Sequence, residues 1–401
     1  MEKINRLWYL FLIGLILRLF IAAFTFHPDV RTPALSSAVL FQRTSLNFYE
    51  VAPKISNQDI LDDLPLSYFI SLPGHMIGRI LVDQKTEDLF LRSQGVLFGN
   101  PSLWLYLVYV KLPFIIFDLL IAFLLLQIVN FADRKKVTVL WIFNPVSLWV
   151  SSGIGQADVY ATFFIVLTLL LIKKSRLDLG ALSLGLGGAI KSAPILLLPY
   201  LLGMATSWGQ RLKLTALALV PFLITVIPYL NSPEFRTRAL FAPQLDKSLY
   251  ASLPLSSSEN ILIVPIIILG LYFIFFFKKR QYRDFLNFSL ISLTAVLAFT
   301  HFHIQWFLWI TPLLILWFVG EQNRNKLLPI LGLLLGLLIM FFSFDGSLQL
   351  KLFAPLWPGL DKVNGLAEIL SADKLQLVRS FAATIFAASA LSLSWRTLKN
   401  S

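Results

Sequence analysis

Long apolar runs recur along the whole of this chain, separated by short polar connections. A helix needs about 20 mostly apolar residues to cross the hydrocarbon of a bilayer. Only 14% of the residues are charged, against about 25% in soluble domains, and mean hydropathy is +0.74. The chain therefore reads as all-α: a polytopic membrane protein of about 11–12 transmembrane or re-entrant helices, forming one integral membrane domain over residues 1–401. Spans are expected near 7–26, 102–130, 137–152, 158–172, 213–230, 261–277, 285–300, 304–319, 327–343 and 376–394. The stretch 177–205 is broken by Gly187, Gly188 and Pro194, and reads as two short helices meeting near Lys191 with both ends on one side. Such breaks at membrane depth survive where the freed backbone is buried in protein or lines water.

The charges orient the spans. Lysine and arginine total 34 against 22 acids, a net charge of +12. The cations do not form a nucleic-acid face. They gather in MEKINR, FADRKK, KKSR, GQRLK, KKRQYRD, EQNRNK and WRTLKNS, the alternate short loops between runs. Cationic loops stay cytoplasmic, so both termini are expected inside a bacterial-type plasma membrane, with anionic lipid as a further partner. MEKINR and the run after it lack a small-residue cleavage site and read as a retained first helix. Trp8, Trp104, Trp208 and Trp395 fall near span ends, where the aromatic belt of a membrane protein lies. The chain has no cysteine, so disulfides and thiolate metal sites are excluded.

The opposite, outer face receives the long connections 27–101, 231–260 and 344–375, together with GQAD (155–158) and HFHIQW (301–306). Within the first loop, 63–81 is too interrupted for a span and reads as a re-entrant or surface-lying helix. No internal repeat of the kind that builds many transporters is evident.

Polar groups inside apolar surroundings need a partner, a water-filled cavity or a place at the bilayer edge. Asn144, Gln156, Asp158 and Lys191 stand out between 144 and 199. Asp29, directly after the first span, is either an interfacial acid ending a helix or a partly desolvated carboxylate fit for a general base. Asp158 either caps the following helix or orients a neighbour and binds a substrate hydroxyl. Lys191, at a helix break, either receives a phosphate or pairs with an acid such as Asp118. His301 and His303 stand two apart, which does not put them on one helix face, so a metal site has little support from spacing. With Gln305 they form a polar rim suited to substrate contact. Arg236, Arg238 and Lys247 are solvated cations, or clamps if a lipid phosphate comes near. No P-loop, dinucleotide fingerprint, HExxH or GxSxG is present.

KLPFIIFDLLIAFLL (111–125), NPVSLWVSSGIGQAD (144–158), KSAPILLLP (191–199), HPDVR (27–31) and HFHIQWFLWITP (301–312) together resemble the GT-C type polytopic glycosyltransferases. The likeness is to the bacterial, mannosyltransferase-like relatives of the GPI mannosyltransferases, and it covers most of the chain to about residue 320. It implies an inverting enzyme that moves a hexose, mannose by analogy, from a polyprenyl-phosphate sugar to a lipid-linked or cell-envelope glycan on the non-cytoplasmic face. Asp29 matches the presumed catalytic base. His27, Arg31, Asn144, Gln156, Asp158, Lys191, His301, His303 and Gln305 would contact substrate, with Lys191 near the donor phosphate. No metal or other cofactor is required by a visible ligand cluster; the lipid-phosphate sugar is the co-substrate. The chain departs from the family at DLPLSYF (63–69), where relatives carry aromatic-Pro-Pro-Leu; Asp59, Asp62 and Asp63 are the acids at hand in that loop. The competing reading is a lipid or solute transporter with Arg18, Asp118 and Lys191 as charges along its path.

Overall fold

Prolines open several of the helices, Pro65–Leu81 and Pro101–Ile128 among them, because proline suits the first turn of a helix and disfavours helix in the residue before it. The computed structural model describes residues 7–42, 45–56, 61–92, 98–244, 246–278, 280–301, 303–321 and 324–399. MEKINR, Asp59, Lys279, Phe302, Gln322 and Asn323 fall outside them. The first helix, Trp8–Phe24, ends at an extended Thr25, and the chain turns through 101° at Pro28 into a second apolar helix, Arg31–Gln42. The first loop is therefore largely helical, with Pro65–Leu81 and Gln84–Arg92 following. Pro101–Ile128 is the long central helix, packed by Trp8–Phe24, Pro65–Leu81 and Asp158–Lys173.

The expected span 137–152 is two helices, meeting at 47°. Pro145 cannot continue the Arg134–Ile142 ladder, and Asn144 caps the restart by accepting from the Val146 and Ser147 amides at 2.9 and 3.2 Å. A π-helical stretch, Trp149–Ile154, follows and stops at Gly155, whose φ of +68° is open to glycine. The 177–205 region does break near Lys191: Leu177–Gly188 is helical, and helix resumes through Ala193–Leu197 and Leu198–Gly203. Gly185 lets this segment press on Trp208–Val226, since a Cβ there would stand 2.2 Å from the Ala218 carbonyl oxygen. A two-stranded antiparallel ribbon, Ser252–Pro254 with Asn260–Leu262, leads into Ile263–Phe276. Tyr282–Ala298, Thr311–Gly320, Leu327–Ser343 and Ala372–Lys399 complete the bundle, the last two packed along each other.

Among the described residues, three helices are long and apolar enough to cross a membrane: Pro101–Ile128, Trp208–Tyr229 and Ala372–Lys399. There are five if each bent pair counts as one span, and shorter apolar helices lie beside them. The surface agrees with that reading. Leu12, Ile16 and Phe20 are exposed on the first helix, as are Leu328, Leu331, Leu335 and Leu338 on another. Exposed apolar faces of this extent fit lipid rather than water.

The charges face the other way. Arg18 and Asp118 are wholly buried and bonded to each other. The same guanidinium donates to the Gly14 and Ile142 carbonyls at 3.2 and 3.1 Å and to Ser147 Oγ at 3.0 Å, while Ser147 Oγ in turn donates to Asp118 at 3.0 Å. The pair ties the first helix to the central helix and to the kink after Asn144. Removing one partner of a buried pair strands the other charge, at a cost of about 3–5 kcal/mol. Arg18→Met is therefore expected to lower the thermal midpoint in detergent strongly, and Arg18→Met with Asp118→Leu to recover most of the loss. Equal midpoints for the single variant and the parent would show that the pair carries no such role.

Candidate functional site

The elements that bend or break in the middle of the bundle all open on one cavity of about 1200 Å³. Its wall takes Asp29 and Arg31 from the turn after the first helix and Asp62 and Asp63 from the first loop. Gly155 and Gln156 come from the end of the π-helical stretch, Lys191 from the 188–193 break, and His303, Gln305, Trp306 and Trp309 from the 303–309 turn. One side is apolar, with Leu219, Phe222, Val264 and Ile268.

Asp29 lies in the Pro28–Val30 turn with its carboxylate half exposed to the cavity. Gln156 Nε2 donates to its Oδ2 at 2.6 Å, joining residues 127 apart in the chain. His27 Nδ1 accepts from the Asp29 amide at 3.3 Å. A nitrogen that accepts an N–H cannot also donate, so its 3.5 Å approach to Asp29 Oδ2 is a contact and not an ion pair. Arg31 is buried along the same wall.

Lys191 is paired with Asp63, not with Asp118, which Arg18 occupies. Asp62, next to it, is exposed to the cavity lumen, and Gln244 Nε2 donates to its Oδ2 at 3.2 Å. The protein crowding the cavity mouth, followed by the charge of Asp63, pushes the Asp62 carboxyl up to about 7, against the opposing pull of Lys191. Lys247, which does not itself line the cavity, donates from Nζ to the wall residue His303 at Nε2, 2.9 Å away. Burial first, then the Lys247 charge, pushes the His303 imidazole down to about 4, so it is neutral and accepting at neutral pH.

The remaining expected residues are placed differently. Asn144 serves the helix restart described above and is not on the cavity wall. His27 caps the Asp29 turn from behind. His301 is exposed and stacks on Phe344, with centroids 5.9 Å apart. Asp158 is fully buried one layer behind the wall, and neither carboxyl oxygen has a hydrogen-bond partner among the described residues. The same holds for the Trp309 indole N–H beside it, the two being out of hydrogen-bonding geometry. Asp158 starts the Asp158–Lys173 helix without acting as its cap.

Three features of the site have little or no signal in the sequence pattern. Asp63 holds Lys191. Trp306 and Trp309 stack with centroids 5.2 Å apart and an interplanar angle of 14°, forming an aromatic wall. Lys111, fully buried in the central helix, reaches the Thr25 carbonyl at 2.6 Å, the Gly153 carbonyl at 2.7 Å, Thr25 Oγ1 at 2.9 Å and the Ala22 carbonyl at 3.3 Å. A lysine inside an apolar helix is the one clue to the last.

Chemically, the site offers a half-exposed carboxylate held in one orientation, a lysine on the wall with a second behind His303, an aromatic wall and apolar lining residues. Among the described residues, no three His, Asp or Glu side chains converge on a metal position. The depressed imidazole gives a pH test. The unfolded chain takes up a proton at His303 near its ordinary 6.5, while the folded chain resists until about 4. Stability from this group is therefore whole above 6.5, falls as pH drops from 6.5 to about 4, and changes no further below. Parent and His303→Gln midpoints, measured from about pH 7.5 to about pH 4, should converge or cross as the parent loses this increment; parallel curves would refute it. A comparison with models of known protein families finds none that matches this chain.

Proposed function

We propose that this chain is an inverting, GT-C type hexosyltransferase that takes its sugar from a polyprenyl-phosphate donor and passes it to a lipid-linked or envelope glycan. The reading has the bundle crossing the membrane about 11–12 times, spans and re-entrant pairs together. Both termini are cytoplasmic and the cavity opens on the outer side. The observation that carries it is the meeting of a base-like acid and a phosphate-receiving lysine on one cavity that is lined in part by apolar side chains. Asp29, fixed by Gln156, and Lys191 both stand on its wall, and Lys247 lies behind it, bonded to the wall residue His303.

In this mechanism the acceptor hydroxyl sits against Asp29. The carboxylate takes its proton as the hydroxyl oxygen attacks the anomeric carbon from the face opposite the phosphate. The carbon–oxygen bond to phosphate breaks with its electron pair, and the lipid phosphate leaves as an anion. Gln156, by occupying one Asp29 oxygen, leaves the other for the proton. The cations stabilise the departing charge, a contribution that grows where water is excluded. Trp306 and Trp309 offer a flat face to a sugar ring, and Leu219, Phe222, Val264 and Ile268 a surface to isoprenoid units.

The transporter reading needs charges strung along a path. Arg18 and Asp118 instead satisfy each other in a sealed site, which favours the transferase.

Purified protein in liposomes, offered a panel of radiolabelled polyprenyl-phosphate sugars with extracted membrane glycolipids, tests this directly. Asp29→Asn should cut transfer by about 10²–10⁴-fold while donor binding persists. Transfer near the parental rate in that variant would remove Asp29 from the chemistry. No transfer by the parent with any donor would remove the proposal.

The Asp62 carboxyl adds a second test. It loses its proton as pH rises through about 7, placing a further negative charge beside Lys191. The KM for the anionic donor should therefore rise as pH passes from about 6 to about 8, and the rise should vanish in Asp62→Asn. An unchanged slope in the variant would assign the dependence elsewhere.

A further inference from the structure

The Asp29–Gln156 contact is made between two segments that, among the described residues, share no backbone hydrogen bond near it. Asp29 follows the end of the first helix, and Gln156 follows the end of the π-helical stretch. Both ends leave carbonyls that the helices themselves no longer use. Three carbonyls at these ends, Ala22, Thr25 and Gly153, converge on one point, and Lys111 Nζ occupies it. Thr25 Oγ1, which shares its proton between the Ile21 carbonyl at 2.6 Å and the Ser152 carbonyl at 3.2 Å, presents its lone pairs to the same nitrogen, so one hydroxyl bond also runs between the two segments.

The arrangement has the donors and acceptors of a bound monovalent cation. Carbonyl oxygens only accept, so three of them require three hydrogens, which an ammonium has and a neutral amine lacks. The described residues provide no carboxylate to Lys111; its partners are backbone dipoles and one hydroxyl. The lysine stem also fixes the turn sterically: a Cβ at Gly155 would stand 3.2 Å from Lys111 Cγ and 3.1 Å from Val30 Cγ2. One side chain thus touches the segment before Asp29 and the segment before Gln156, and borders the glycine between the Gly153 carbonyl and Gln156.

We propose that Lys111 is the positioning residue of the site, an internal ammonium that sets the distance between Asp29 and Gln156 without touching substrate. The proposal rests on the transferase reading for its kinetic consequence, but not for its structural one. Loss of the ammonium leaves the two helix ends joined there by the single Thr25–Ser152 hydrogen bond, too little to hold their spacing, and Asp29 keeps its chemistry but loses its orientation.

The experiment uses Lys111→Ala and Lys111→Met in full-length reconstituted protein, with two readouts. In the transfer assay, kcat should fall at least about 100-fold, since misplacement by about 1 Å costs that much, while the donor KM stays within about threefold of the parent's. Ethylammonium or propylammonium should raise the Lys111→Ala rate at least about tenfold, because a free alkylammonium can refill the truncated stem. The same amine should do nothing for Asp29→Asn. The second readout is hydrogen exchange, which needs no turnover. Protection should fall in the peptides covering 25–31 and 153–157, return with the amine, and stay parental in Ala372–Lys399. Parental kcat in both variants, or exchange that rises throughout the bundle without amine rescue, would overturn the assignment. If the parent transfers no sugar, the exchange pattern still decides whether Lys111 holds the two segments, and the transferase reading fails separately.

Discussion

A charge inside a membrane protein has to be satisfied by the protein, and this chain does so twice around one helix. Pro101–Ile128 brings Asp118 to Arg18 and Lys111 to the carbonyls at 22, 25 and 153. Both sets of bonds join the first helix to the kinked pair that precedes GQAD. In hydrocarbon the alternative to each is an unpaired charge or an unbonded carbonyl, and both are costly. The register of three helices is fixed by these contacts far more narrowly than by apolar packing, which tolerates sliding.

That register places an acid, an amide and a lysine from distant parts of the sequence around one cavity. The electrostatics are divided within it. Lys191 is held by Asp63, the neutral His303 accepts from Lys247, and Asp62 shares its local field with both a neighbouring acid and a lysine. The Asp29 turn takes its orientation from neutral groups, the Gln156 amide on the carboxylate and the His27 ring on the backbone N–H. The cations of the cavity are thereby engaged elsewhere on its wall, and the acid is steered without a salt bridge across its face.

The apolar helices are legible because hydrophobic runs report an apolar surround directly, and Leu327–Ser343 falls where the run 327–343 puts it, although only three to five helices among the described residues are long and apolar enough to cross a membrane. Gln156 and Lys191 are legible as cavity residues because a polar group at a break in an apolar segment has to be met by water or by protein. Partnership is what the pattern does not carry. For Lys191 an acid such as Asp118 is as reasonable on sequence grounds as any other, and the choice of Asp63 depends on a contact between segments more than a hundred residues apart. Asn144 looks like a site residue because a polar side chain in a span is expensive, whereas its carbonyl oxygen satisfies two amides freed by Pro145. Lys111 stands inside KLPFIIFDLLIAFLL, yet an ammonium bound by carbonyls has no sequence signature for its partners.

The aromatic cluster beneath the first loop, in which Phe48, Tyr49 and Tyr68 pack against Tyr229 and Phe235, has a consequence for biosynthesis. Glu50 is joined to Ser232 across 182 residues of chain. At about 5–20 residues per second, the ribosome leaves the first-loop half of this cluster without its counterpart for roughly 10–40 s. During this interval the rings of the first loop exist without the later segment that packs against them. The nascent protein must keep those rings apart from other chains until the later turn arrives.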